Sequence, residues 1–177
     1  MQKFLVIRFS SIGDIVLTSP AVRCLKKQVA DAEIHYLTKP AFKEVLKANP
    51  YIDYLHVLDK PLLEKIKELK AFGFDFIIDL HNNLRTQIIK SVLNVPAFSF
   101  DKLNTEKAQL VNFKINTLPN LHIVDRYLNT LTNFGVINDG LGLDYFIPED
   151  TKLSTAVIDL IQQPYLAIAI GAQHYTK

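Results

Sequence analysis

The strongest constraint in this sequence is an alternation. Short runs of β-branched and aromatic residues are each followed by a segment whose apolar side chains recur at helical spacing. Residues 3–8 (KFLVIR) read as a buried strand and residues 9–14 (FSSIGD) as a turn. Residues 15–29 read as a helix whose Ile15, Val16, Val22, Leu25 and Val29 share one face. The pattern repeats, with strands predicted over 33–38, 54–58, 74–80 and 97–100 and helices over 41–48, 62–70 and 84–93. Strands alternating with helices predict a parallel sheet covered on both faces, an α/β, doubly wound architecture. Beyond Asp101 the pattern loosens through residues 102–120. A helix over 122–134, a turn-rich stretch over 135–142, an edge strand over 143–147 and a helix over 151–162 follow. Residues 164–170 (PYLAIAI) read as a fresh strand opening another βα unit, as expected for the front part of a larger protein.

The 177 residues, 49% of them hydrophobic, suffice for a self-standing core. A single cysteine, Cys24, excludes a disulfide scaffold and a cysteine-based zinc site, and points to a reducing compartment. The net charge of +2, from 20 Lys and Arg against 18 Asp and Glu, lacks the basic excess of a nucleic-acid-binding chain. The longest uncharged run near the C-terminus, residues 160–173, contains Pro164 and falls short of the ~20 residues a spanning helix needs. A cytoplasmic protein is expected.

In open parallel sheets, ligands bind at the carboxyl ends of strands, where the strand order reverses. Two segments belong there. Ser10, Ser11, Gly13 and Asp14 follow the first strand; Gly13 permits close backbone approach, and Asp14 reads either as a general base or as a helix cap. The fourth strand runs into Asp79-Leu80-His81-Asn82-Asn83-Leu84-Arg85. His81 and the asparagines suit a polyol and Arg85 a phosphate or carboxylate, while turn chemistry accounts for the same residues. His122 and Arg126 lie four apart and share a helix face. Lys60, Lys65, Lys102, Lys107 and Lys114 read as solvated charges or as the lining of an anionic cleft. The sequence has no G-x-G-x-x-G, G-K-[ST], G-x-S-x-G or D-x-D motif and no metal-ligand histidine spacing, so no cofactor and no metal are expected.

Four segments, taken in order, resemble the heptosyltransferases, glycosyltransferase family 9. They are Ile7-Arg8-Phe9-Ser10-Ser11-Ile12-Gly13-Asp14 with Leu17-Thr18-Ser19-Pro20; the Asp79 to Arg85 segment; His122-Ile123-Val124-Asp125-Arg126-Tyr127-Leu128; and Ile170-Gly171-Ala172 with Thr176-Lys177. The resemblance implies a Rossmann-like acceptor-binding domain over residues 1–150, a linker helix over 151–163, and the start of a donor-binding domain over 164–177. Together these form the N-terminal half of a GT-B enzyme. It implies transfer of heptose from ADP-heptose to the inner core of lipopolysaccharide, with inversion and without a metal, by a chain inactive on its own. Asp14 then takes the role of general base. Ser10, Ser11, Gly13, His81, Asn82, Arg85, Arg126 and Lys60 would line the acceptor site, and Lys177 with Thr176 would contact the donor phosphates. A lipid-linked acceptor implies peripheral contact with the inner membrane. Lys60 and Lys65 stand where the family is richer in arginine, which puts the acceptor's phosphate pattern in doubt. The alternative is a non-catalytic Rossmann-like module that binds a nucleotide or phosphosugar. A receiver-like regulatory domain is disfavoured, because the first strand ends in Arg8-Phe9-Ser10 where a receiver needs an acidic pair.

Overall fold

The computed structural model describes residues 1–162, 164–166 and 168. They fall into two compact units, Met1–Phe146 and Ile147–Lys177.

The first unit is built on five parallel strands: β1 (Gln2–Ile7), β2 (Ala32–Thr38), β3 (Tyr54–Val57), β4 (Phe76–Asp79) and β5 (Ala97–Ser99). Their spatial order is β3-β2-β1-β4-β5. The chain winds outward from β1 through β2 to β3, then returns to place β4 on the other side of β1. Ile7 sits opposite both Leu37 and Asp79. The strand order therefore reverses between β1 and β4, and the loops leaving these two strands border the crevice where such sheets bind ligands.

Burial on both faces explains why β1 and β4 read as continuous apolar runs. Phe4 and Val6 join Ile34, Tyr36 and Ile78 in one core, whereas Leu5 and Ile7 join Leu37, Ile66 and Ile89 in the other. The second core also holds a closed polar group. His35, fully buried, lies 2.8 Å through Nδ1 from His56 Nε2 and 2.8 Å through Nε2 from Glu33.

Helices α1 (Ile12–Val16), α2 (Ser19–Gln28), α3 (Lys43–Leu46), α4 (Leu62–Lys70), α5 (Leu84–Leu93), α6 (Asn104–Phe113) and α7 (Ile123–Leu128) complete this unit. The helix expected over 15–29 is two helices. It starts earlier, at Ile12, and breaks at Thr18, whose hydroxyl donates to the Ile15 carbonyl at 2.7 Å, with Pro20 then opening α2. The helix expected over 122–134 likewise becomes α7 followed by a 3₁₀ segment, Asn129–Phe134. The loose stretch after Asp101 contains α6, which buries no residue and so carries no periodic apolar signal.

Residues 143–147 are not an edge strand. Buried Arg23 on α2 captures Asp144 and binds Asp139 with both carboxylate oxygens, at 2.8 and 2.7 Å. The Asp144 N–H donates to Ser19 Oγ at 2.9 Å, so this backbone is spoken for by α2 instead of a neighbouring strand.

The second unit contains α8 (Thr155–Ile161), capped by Ser154, whose hydroxyl accepts from the Val157 N–H at 3.4 Å. Of the strand expected over 164–170, residues 164–166 and 168 are not in a strand and the others lie outside the described residues, as do Thr176 and Lys177. No helix among the described residues is long and apolar enough to cross a membrane.

Candidate functional site

A cleft of about 320 Å³ opens at the carboxyl ends of β1, β4 and β5, lined by Arg8, Asp14, His81, Phe100, Lys102, Lys107, Ile123, Arg126 and Tyr127. The loop after β1 supplies its carboxylate. Asp14 sits in the first turn of α1, and its Oδ2 accepts from the Ser11 hydroxyl at 2.8 Å and the Ser11 N–H at 3.2 Å. The Arg8 guanidinium approaches the same oxygen at 2.7 Å. Oδ1 has no hydrogen-bond partner among the described residues. Partial burial works against ionisation of Asp14, yet the Ser11 hydroxyl, the Ser11 N–H and Arg8 outweigh it and hold the carboxyl below its usual range. Asp14 therefore closes a capping box at the start of α1, accepting the N–H of the N-cap Ser11 through Oδ2 and leaving Oδ1 outside that contact.

The loop after β4 contributes His81. The fully buried Asp79 organises this loop, its Oδ1 accepting the N–H groups of His81 and Asn82 at 3.1 and 2.7 Å while Lys90 stands 2.9 Å from Oδ2. His81 packs edge-on against Phe9, and its Nδ1 is buried without a hydrogen-bond partner among the described residues. Burial, then the positive charges of Arg8 and Lys102, push its pKa down to about 4, so the ring is neutral at physiological pH. A neutral imidazole offers one donor and one acceptor.

The opposite wall comes from α7 and the segment after β5. Arg126 lies over the Phe100 ring, 5.6 Å from its centroid, and donates to the Asp101 carbonyl, while its Nε is buried and unpartnered among the described residues. Lys102 has its pKa lowered, chiefly by burial and then by Arg8. Four cationic side chains and one carboxylate therefore surround a neutral histidine. Such an excess attracts an anionic ligand and leaves one carboxylate oxygen to receive a proton.

The remaining predicted residues are placed differently. Ser10 offers its carbonyl to Arg8 Nε at 2.7 Å, and Ser11 orients Asp14. An added Cβ at Gly13 meets nothing within 4 Å, so this position faces open space. Asn82 is bound up in the fold, its Nδ2 donating to the Phe100 carbonyl at 3.0 Å and its Oδ1 accepting from Gln87 at 3.0 Å. Asn83 caps α5 in a reciprocal pair with Thr86. Arg85 and Lys60 do not line the Asp14 cleft. They border a separate cleft of about 310 Å³ with Lys39, Pro40, Leu58 and Leu62. Lys60 is also ion-paired with Glu68 and Glu64. Among the described residues no group of three His, Cys, Asp or Glu side chains is placed to hold a metal ion.

Sequence reasoning passed over Arg8 and left Lys102 and Lys107 undecided. Arg8 carries a usable signal: a charge closing an apolar strand is buried only with a partner, and Asp14 is six residues on.

No family model matches the chain. Among curated proteins it is 31% identical over 168 residues to lipopolysaccharide heptosyltransferase 1 of Campylobacter coli, covering 90% of this chain and 47% of the relative. The chain belongs to the heptosyltransferase family. It spans about half the length of the curated relatives it matches. Of solved structures, the family 9 glycosyl transferase of Veillonella parvula DSM 2008 superposes with a TM-score of 0.62 at 27% identity, over 81% of this chain and 45% of that one. The E. coli ADP-heptose lps heptosyltransferase II has a TM-score of 0.59 at 16% identity, over 90% of this chain and 49% of its own, and supports the fold. The parallel α/β sheet is thus a heptosyltransferase fold.

Proposed function

We propose that this chain is the acceptor-binding half of an enzyme that moves heptose from ADP-heptose to the inner core of lipopolysaccharide. The observation that carries the reading is Asp14: a carboxylate at the reversal of strand order, one oxygen held and one free, in a cleft otherwise cationic. The relatives carry the substrate class, since those it matches are lipopolysaccharide heptosyltransferases. In this reading Arg126, Lys102 and Lys107 hold an anionic group of the acceptor, and neutral His81 hydrogen-bonds one of its hydroxyls. Asp14 Oδ1 accepts the proton of the attacking hydroxyl as the new oxygen–carbon bond forms at the anomeric centre. The bond to the diphosphate breaks, and ADP leaves with the electron pair. Attack from the face opposite the leaving group inverts the anomeric centre. By the family resemblance Lys177 and Thr176 steady the leaving diphosphate, amides and cations doing what a metal does elsewhere. The chain by itself is then inactive. A lipid-linked acceptor would bring the enzyme to the inner face of the inner membrane.

Incubating the full-length protein with ADP-heptose and a lipopolysaccharide inner-core acceptor, with and without EDTA, tests this reading. The expected result is transfer unchanged by the chelator, with an inverted anomeric configuration by NMR. Binding without transfer supports a non-catalytic module instead, and retained configuration removes the general-base role.

A further inference from the structure

Arg8 occupies the first position past β1 and is only 8% exposed. Its three nitrogens reach three partners in three segments. Nε donates to the Ser10 carbonyl at 2.7 Å, Nη1 to the Leu80 carbonyl at the end of β4 at 2.6 Å, and Nη2 stands 2.7 Å from Asp14 Oδ2. The guanidinium carbon lies 5.8 Å from the centroid of the Tyr127 ring on α7. A planar fork held at two corners has no freedom left at the third, so the direction of the Nη2 contact is set by the sheet. The Leu80 carbonyl adjoins His81, so the same cation links the carboxylate of one loop to the histidine of the other.

We propose that Arg8 is a positioning residue: by pinning Asp14 Oδ2 to the ends of β1 and β4, it presents Oδ1 to the acceptor hydroxyl. This rests on the reading of Asp14 as the base. Charge neutralisation alone would need only a point charge, which lysine supplies; holding three acceptors in one plane needs guanidinium. Asp14 faces Arg8 from the first turn of α1, His81 from the loop after β4, Lys102 and Lys107 from before and within α6, and Arg126 with Tyr127 from α7. Loss of Arg8 removes a nearby positive charge, and the carboxyl pKa rises.

The test uses the full-length enzyme with Arg8→Lys, Arg8→Met and Asp14→Asn, reading kcat, KM, the pH profile and thermal melting. Arg8→Lys is expected to lower kcat by on the order of tenfold to a hundredfold, as misplacement of a reacting group does, with little change in KM. Its acid limb stays near the parent's, because the charge is kept. Arg8→Met is expected to move the acid limb of kcat/KM to higher pH, since activity requires ionised Asp14. A normal kcat in Arg8→Lys, or an unmoved acid limb in a folded Arg8→Met, overturns the proposal. Failure of both variants to fold also overturns it, by making Arg8 part of the scaffold. Full activity in Asp14→Asn sinks the base reading itself, whereas an inactive Asp14→Asn beside a normal Arg8→Lys sinks only the role of Arg8.

Discussion

The two buried arginines of the first unit are used in opposite ways. Arg23 is 1% exposed, and its donors end on Asp139, Asp144 and the Gly142 carbonyl, all from one loop that it fastens to α2. Arg8 has one carboxylate, itself 39% exposed at the side chain, and lies among Lys102, Lys107 and Arg126. The histidines repeat the contrast. His35 has both ring nitrogens engaged, by Glu33 and His56, whereas buried Nδ1 of His81 and buried Nε of Arg126 have no partner among the described residues. A closed network is structural, because every buried polar group in it is satisfied from within. An open one, with surplus positive charge around a cleft and buried hydrogen-bonding atoms left unpaired, is not completed by the fold itself.

Breaking the closed arginine should have the largest effect on stability. Arg23→Met leaves Asp139 and Asp144 without their cation, and removing one member of a buried pair costs about 3–5 kcal/mol. Both carboxylates keep about a fifth of their side-chain surface in water, so the lower end, about 3 kcal/mol, is expected. That corresponds to a fall in Tm of roughly 6–12 °C for a chain of this size. A loss of less than about 1 kcal/mol, the value of an ordinary surface pair, would erase the distinction between the two arginines.

Acid should test the histidines next. Burial lowers the pKa of His35 and, to about 4, those of His56 and His81. A histidine depressed in the folded state favours unfolding once the unfolded chain protonates. Stability is therefore full above pH ~6.5 and falls as the pH drops toward 4. The effect is on the order of 2 kcal/mol for each of His56 and His81, and chemical denaturation at stepped pH measures it. The depressed carboxylates, Asp14 among them, lose their contribution progressively from about pH 5 downward, so the interval from about pH 6.5 to 5 isolates the histidines. His56→Asn and His81→Asn should each flatten the curve, and a curve unchanged by either would contradict the burial argument.

Gly13→Ala should have the smallest effect on the fold. An added methyl meets no atom within 4 Å, and alanine is the better helix former by about 0.8–1.0 kcal/mol, so melting should rise slightly. Transfer by the full-length enzyme should fall if the acceptor passes over this face. Unchanged transfer would move the acceptor's path away from α1.

Much of the fold was legible because β1 and β4 bury both faces and so spell apolar runs, FLVI and FII, while β2 buries a strand rich in β-formers, IHYLT. Segments held by single polar contacts were not. The break at Thr18 depends on one hydroxyl, the course of residues 143–146 on Arg23, and α6 on no buried residue at all. Asp14 and His81 were legible because both directly follow strands that topology sets side by side. The convergence of Lys102, Lys107 and Arg126 on them was not, since it depends on how the segments after β5 fold back over the sheet. Arg85 and Lys60 were grouped with Asp14 by family resemblance, whereas Lys60, just past β3, and Arg85, in the first turn of α5, border a second cleft.

The most direct measurement is heptose transfer by the full-length protein carrying Asp14→Asn, paired with its melting curve. Asparagine keeps the size of the side chain and an oxygen for Ser11 but cannot accept the proton. A loss of roughly 10²–10⁴-fold in kcat, with the protein still folded and its melting only modestly lowered by the lost Arg8 partner, is the predicted result. Transfer at the parent rate by a folded Asp14→Asn protein would contradict the assignment of this cleft as the catalytic one.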